Sequence, residues 1–173
     1  MSIWSWLGLE RQQEPEDRGP LAEIEQALGG LEPDRAHYVA CFAYILTRAA
    51  RADHEVTDGE AREMERLVAL RADLPIEVAG LIVQITRALA TRSGGTDDFL
   101  VTREFDRIAT HEQKLALIDC LFAVSSSDES ILTAEDNEIR RIANELKIEH
   151  SEYIAVRTGH LKHLSVFKPR EQG

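Results

Sequence analysis

The sequence has few features of a secreted, membrane-spanning or nucleic-acid-binding protein. Only two of its 173 residues are cysteines, Cys41 and Cys120, and both lie in apolar runs without CxxC spacing. This usage is typical of small buried residues in a reducing compartment. No stretch reaches the roughly 18 consecutive apolar residues that a membrane span needs. The 20 basic and 31 acidic residues leave a net charge of −11, which argues against nucleic-acid binding because phosphates require a basic surface.

The motifs of common enzyme classes are also missing. The sequence contains no GxSxG elbow, no HExxH or HxH pair and no glycine-rich phosphate loop. Most of its six histidines are expected in exposed or capping positions. Asp119 lies inside an apolar helix, which favours a hydrogen-bonded polar residue over a catalytic acid. We therefore identify no catalytic residues and expect a protein that is not an enzyme.

The pattern that is present is helical throughout. Apolar residues recur at helical spacing, and no run alternates with the period of a strand over a useful length. Residues 34–52 are apolar on nearly every face, which predicts a helix in the middle of a bundle. The sequence predicts an all-α, single-domain bundle of about seven or eight helices. The predicted helices are Leu21–Leu28, Asp34–Ala52, one opening at Thr57, Ile76–Ala90, one from Thr96 or Asp97 to Ile108, one opening at Thr110, Thr133–Leu146 and Ser151–Leu164.

The two ends of the chain differ from this pattern. Residues 1–20 place Trp4 and Trp6 before a polar run, which suggests an amphipathic or flexible tail that anchors to a membrane surface, docks on its own domain or frays. Residues 21–165 form the predicted helical domain, and residues 166–173 form a C-terminal tail. The segment from Arg157 to Arg170 is basic within an acidic chain. It could complement its own helix dipole, or contact an acidic partner, an anionic membrane or the chain's own acidic loops.

The chain contains an internal duplication. A shift of 75 residues superposes two halves without a gap, and it aligns Asp53 with Asp128 and Glu60 with Glu135. In each half a hydrophobic helix ends in an acidic loop, which leads into an amphipathic helix with acids in its first turn. Two such helical hairpins can bury their central helices against each other.

The paired loops are the candidate functional site. Carboxylates are suitable ligands for Ca²⁺, Mg²⁺ or Mn²⁺, so Asp53, Glu60, Asp128 and Glu135 form a predicted cation site if pseudo-symmetry brings the loops together. Helix capping and interaction with the helix dipole explain the acids of the first turns equally well. They explain Asp53 and Asp128 less well, because these residues are expected at helix C-termini, where the dipole disfavours an anion.

These loops do not match an EF-hand. Counted from Asp53, the position that requires glycine is Asp58, and the position of the bidentate glutamate is Met64. The second loop fails at the same two positions.

The same residues resemble the TerB-like family, named for tellurite-resistance protein B. Its members carry two copies of an Ala-Asp-Gly-x-x-x-x-x-Glu pattern, each after a hydrophobic helix. Residues 52–60 match the first copy, with His54 in place of glycine, and residues 127–135 match the second, with serine and Glu129 in place of alanine and glycine. The runs Glu138–Ala143 and Tyr153–Arg157 resemble a bacterial subgroup of the family. The resemblance covers residues 21–164.

The resemblance implies a bacterial, cytoplasmic protein of the stress response, sometimes attached to membrane-associated complexes, with an acidic metal site. It implies protein partners and no known reaction. The expected function is therefore a non-enzymatic accessory protein that binds a divalent cation through its acidic loops. The alternatives are a metal-dependent hydrolase that uses the same loops, and a membrane-peripheral scaffold anchored by the N-terminal tryptophans.

Overall fold

The structure, a computed structural model, describes residues 26–50, 56–90, 98–125 and 133–167. Within these ranges all regular elements are helical, and a short helical turn at 26–29 precedes the first long helix. The expected all-α bundle is thus confirmed. The helices are α1 (Pro33–Ala50), α2 (Asp58–Arg71), α3 (Ile76–Ala90), α4 (Asp98–Ile108), α5 (His111–Ser125), α6 (Thr133–Glu145) and α7 (His150–Phe167).

Two helices begin at the capping boxes that the sequence predicts. At the start of α2, the Glu60 amide donates to the Thr57 hydroxyl, and the Thr57 amide donates to the Glu60 carboxylate at 2.7 Å. Before α5, the Thr110 amide donates to the Gln113 side chain at 2.8 Å, and the Gln113 amide donates to the Thr110 hydroxyl at 3.2 Å. Each box satisfies amides that the helix leaves without an internal partner.

Two other predicted starts were wrong by a residue or more. Helix α1 begins at Pro33, so Asp34 lies in its first turn and does not cap it. Proline is favoured at the first helical position because its fixed φ suits the helix and the position needs no amide proton. Helix α7 begins at His150, before Ser151. There the Glu149 amide donates to the Glu152 side chain at 3.3 Å, which is the bond that the third residue of a helix makes to the capping residue in a capping box.

Helix α1 lies in the middle of the bundle, as its apolar character predicts. It packs against α3, α4, α5 and α6. Its residues from Val39 to Leu46 are all buried, and they join Ile82, Phe105 and Ile118 in one continuous core. Burying each of the larger apolar side chains contributes on the order of 2 kcal/mol. None of the described helices combines the length and the apolar composition required to cross a lipid bilayer.

The duplication is visible in the helix boundaries. Within the described residues, the central helices extend to Ala50 and Ser125, and the helices after the acidic loops are described from Asp58 and Thr133, so both pairs are 75 residues apart. The halves also exchange contacts, because α2 of the first half packs on the central helix α5 of the second, while α6 of the second half packs on α1. The central helices α1 and α5 contact each other. Within its own half, α6 packs on α5, whereas α2 packs on α3.

Candidate cation site and the buried Arg48 cluster

The four predicted cation ligands have different surroundings. Asp53 and Asp128 lie outside the described residues, as does His54. Glu60 is exposed, and its Oε2 accepts hydrogen bonds from the Thr57 amide and hydroxyl at 2.7 and 2.8 Å. These bonds lower the pKa of Glu60 below its usual value. The capping function of Glu60 is therefore established, and the convergence of the four acids stays a prediction.

Glu135, the counterpart of Glu60, is in a different environment. It is only 4% exposed in the first turn of α6, whereas Glu60 lies at the surface. A carboxylate is buried only where hydrogen bonds or positive charge compensate for its lost hydration. The two halves have therefore diverged in how deeply the same position is buried.

The most elaborate polar arrangement of the described residues surrounds Arg48, near the end of α1. Its side chain is 2% exposed, and its Nη1 donates to Glu145 at 2.7 Å and to the Thr102 hydroxyl at 2.7 Å. Its Nε donates to Glu138 at 2.9 Å, and a carboxylate oxygen of Asp98 lies 3.9 Å from Nε. We refer to these five residues as the Arg48 cluster.

The Arg48 cluster connects three helices. Glu138 and Glu145 belong to α6, whereas Asp98 and Thr102 belong to the first turns of α4. Burial by itself would lower the pKa of the Arg48 guanidinium, but the hydrogen bonds and negative charges of Glu145 and Glu138 raise it. The arginine thus stays charged and holds the end of α1 against α6 and α4. Sequence reasoning missed it, although a lone arginine after the apolar run 39–46 was a visible signal.

A second ion pair lies where α2 crosses α5. His160 of α7 is 9% exposed, and its Nε2 lies 2.6 Å from a carboxylate oxygen of Asp119, while Arg71 donates to the other oxygen at 3.3 Å. Burial alone would raise the pKa of Asp119, but the hydrogen bond from His160 and the charge of Arg71 hold it below its usual value. Asp119 is hydrogen-bonded as expected. His160 is buried, in contrast to the exposed or capping positions expected for most histidines.

Part of the basic C-terminal segment contacts the second acidic region. Arg157 donates to both carboxylate oxygens of Asp136, at 2.9 and 3.1 Å, and the Tyr153 hydroxyl donates to the same carboxylate at 3.1 Å. Asp136 directly follows Glu135 in the first turn of α6. Of the alternatives for the basic segment, contact with the chain's own acidic region therefore holds for Arg157.

The cysteines are buried and unoxidised. Burial is the main cause that raises the pKa of Cys41 and of Cys120 to about 12, so both stay thiols at neutral pH. A thiolate is the nucleophilic and metal-binding form of cysteine. In the described ranges, no group of three or more His, Cys, Asp or Glu side chains has the arrangement of a metal site.

These observations define an all-α bundle in which the helix after each acidic segment packs on the central helix of the other half. The family model described as tellurite resistance protein TerB matches residues 39–158. The matched range includes both acidic loops, the Arg48 cluster and the pair of Arg71 with Asp119, and it ends before His160. The chain therefore belongs to the TerB family, as the resemblance implied. Comparison with curated proteins and with solved structures finds no match.

Proposed function

We propose that this chain is a non-enzymatic accessory protein of the bacterial cytoplasm that binds a divalent cation through its two acidic inter-helix loops. Ca²⁺, Mg²⁺ and Mn²⁺ are the candidate ions, since all three prefer carboxylate oxygens. The cation-bound form would act in a stress response by binding protein partners. Asp53, Glu60, Asp128 and Glu135 are the proposed ligands.

The observation that carries the proposal is the burial of Glu135 at the start of α6. This helix packs against α1, and Arg48, two residues before the end of α1, contacts Glu138, one turn after Glu135. The helix that leads into the first loop and the helix that leaves the second are therefore neighbours. Their contact supports a shared site for acids from both loops.

The non-enzymatic part of the proposal is supported by the chemistry of the nucleophiles and bases that the structure describes. The two cysteines are buried thiols. His160 is buried against Asp119 and stacks on Phe122, with a ring-centroid distance of 5.8 Å. A catalytic pair needs a nucleophile within hydrogen-bond reach of its base and access for a substrate. This pair instead bridges two helices.

The test is thermal and urea unfolding of EDTA-treated protein with Ca²⁺, Mg²⁺, Mn²⁺ or Zn²⁺ added in turn. An ion that binds only the folded state stabilises it by RT ln(1 + [L]/Kd), about 2.7 kcal/mol at a hundredfold excess over Kd. We expect Asp53→Asn/Asp128→Asn and Glu135→Gln to abolish that stabilisation.

The matched control is Glu77→Gln/Glu112→Gln, which removes two exposed acids from the first turns of α3 and α5. It lowers the net negative charge by the same amount as the Asp53/Asp128 double variant, so it corrects for relief of self-repulsion. The control should retain the full response to the ion. If no ion stabilises the wild type, or if the control loses the response as well, the acidic loops are not the cation site.

A further inference from the structure

A cavity of about 620 Å³ opens at the end of the bundle where α1 begins. Four elements line it: the first turns of α1, the connection between α2 and α3, the end of α4 and the start of α5. The lining residues are Asp34, Arg35, His37, Tyr38, Leu74, Arg107, Ile108 and Gln113. The volume lies within the range of about 300–1,000 Å³ that is common for small-molecule sites. All the lining residues lie outside the acidic loops.

Three of the lining side chains are apolar or aromatic and pack against the core: Tyr38, Leu74 and Ile108. The Tyr38 ring rests on Phe105 and Phe42, with centroid distances of 5.5 and 5.9 Å. Burial raises the pKa of its hydroxyl to about 12, so the group stays protonated. The flat apolar part of a ligand can pack against these three side chains.

The rest of the lining favours an anion. Arg107 contacts Glu104 through Nε and Nη2, which leaves the two N–H groups of Nη1 outside that pair. Arg35 is exposed in the first turn of α1, where the helix dipole also favours negative charge. Asp34 is the acid among the lining residues. Two guanidinium groups and a helix N-terminus thus surround an apolar surface in a chain whose net charge is −11.

We propose that this cavity binds a small organic anion that has an aromatic or aliphatic body and a single carboxylate or phosphate. The body packs on Tyr38, Leu74 and Ile108, and the anionic group binds Arg107 and Arg35. Planar guanidinium groups suit both anions, because each offers two oxygens for paired hydrogen bonds. The site is separate from the proposed cation loops.

The test is titration of the full chain with benzoate, phenyl phosphate, inorganic phosphate and neutral benzamide, followed by calorimetry and by NMR. We expect benzoate or phenyl phosphate to bind, and the tighter of the two identifies the anionic group. Benzamide and inorganic phosphate should each bind at least about tenfold more weakly, because one lacks the charge and the other lacks the apolar body.

The variant is Arg107→Gln, and its matched control is Arg66→Gln. Both arginines are exposed and pair with a glutamate three residues earlier, Glu104 and Glu63, but Arg66 lies outside the cavity. We expect Arg107→Gln to weaken binding of the anion about tenfold, Arg66→Gln to leave it unchanged and Asp34→Asn to strengthen it.

Arg35→Gln is a second variant, at an exposed position, and we expect it to lose binding of the anion as well. If its thermal unfolding is unchanged from the wild type, that loss does not come from misfolding. The proposal is overturned if neither aromatic anion binds, if benzamide binds as tightly as benzoate, or if Arg107→Gln and Arg66→Gln behave alike. The cation response of the protein does not depend on any of these outcomes.

Discussion

Arg48 and Glu145 are 97 residues apart in sequence, yet the guanidinium Nη1 lies 2.7 Å from the Glu145 carboxylate in the interior of the bundle. The contact joins the central helix of the first half to the helix that follows the second acidic loop. The corresponding contact between α2 and the central helix α5 is the pair of Arg71 with Asp119. There the central helix carries the acid, whereas at Arg48 the central helix carries the base. Each contact between a central helix and the helix after the other half's acidic loop thus contains an ion pair.

Replacement of Arg48 tests this relationship. Arg48→Met leaves Glu138 and Glu145 without their buried counter-charge, and we expect a loss of about 3–5 kcal/mol in the free energy of unfolding by urea. The control Arg66→Met removes an exposed arginine that pairs with Glu63, and it should lower the stability far less than Arg48→Met does. Equal losses in the two variants would show that the Arg48 cluster does not stabilise the fold.

The pairing of Asp119 predicts a pH dependence of stability. Its pKa in the folded protein is below the usual value, so the pair contributes stability above about pH 4, where an unfolded aspartate is ionised. That contribution is lost as the pH falls through the lowered pKa. The difference in unfolding free energy between the wild type and Asp119→Asn should therefore shrink as the pH falls below about 5 and through the lowered pKa of Asp119.

Asp58→Asn is the control for that measurement. Asp58 also pairs with an arginine, Arg87, at 3.0 Å, but its side chain is 79% exposed. Its difference from the wild type should stay small across the same range of pH. A constant difference for Asp119→Asn would contradict the assigned role of the pair.

The capping function of Glu60 can be separated from its proposed ligand function. Glutamine retains a side-chain oxygen for the Thr57 amide, so Glu60→Gln should stay close to wild-type stability in EDTA, while Thr57→Ala should lose about 1 kcal/mol. If Glu60 also binds a cation, Glu60→Gln should weaken the stabilisation by the ion. If the ion stabilises Glu60→Gln as much as the wild type, Glu60 caps α2 and is not a ligand of the cation.

The aromatic contact between α5 and α7 predicts a large cost for truncation. Phe122 is fully buried, and its ring lies 5.7 Å from that of Tyr153 and 5.8 Å from that of His160. Phe122→Ala should cost about 3–5 kcal/mol in urea unfolding, because it leaves a cavity between the helices. Leu70→Ala, at a position that is 65% exposed, should change stability by no more than about 0.5 kcal/mol. Similar effects at the two positions would rule out this packing.

Local signals accounted for much of the helical structure. The boxes at Thr57 and Thr110 formed as expected because their partners are three residues away and need no tertiary contact. The starts of α1 and α7 were misplaced because Asp34 and Ser151 are good capping residues, whereas the helices begin at Pro33 and His150. Capping preferences say which residue types cap a helix well. They do not say which of several neighbouring residues caps the free amides in a given helix.

The sequence by itself determined the all-α class, the central position of α1, the duplication at a spacing of 75 residues and the family, because helical periodicity and repeated motifs are properties of the chain. Only the tertiary structure decided that Arg48 meets Glu138 and Glu145, that His160 pairs with Asp119, and that Glu135 is buried while Glu60 is exposed. Each of these depends on which helices cross and at what depth. The hydrophobic pattern of a single helix predicts which of its faces is buried. It does not predict which charged groups of other helices contact that face.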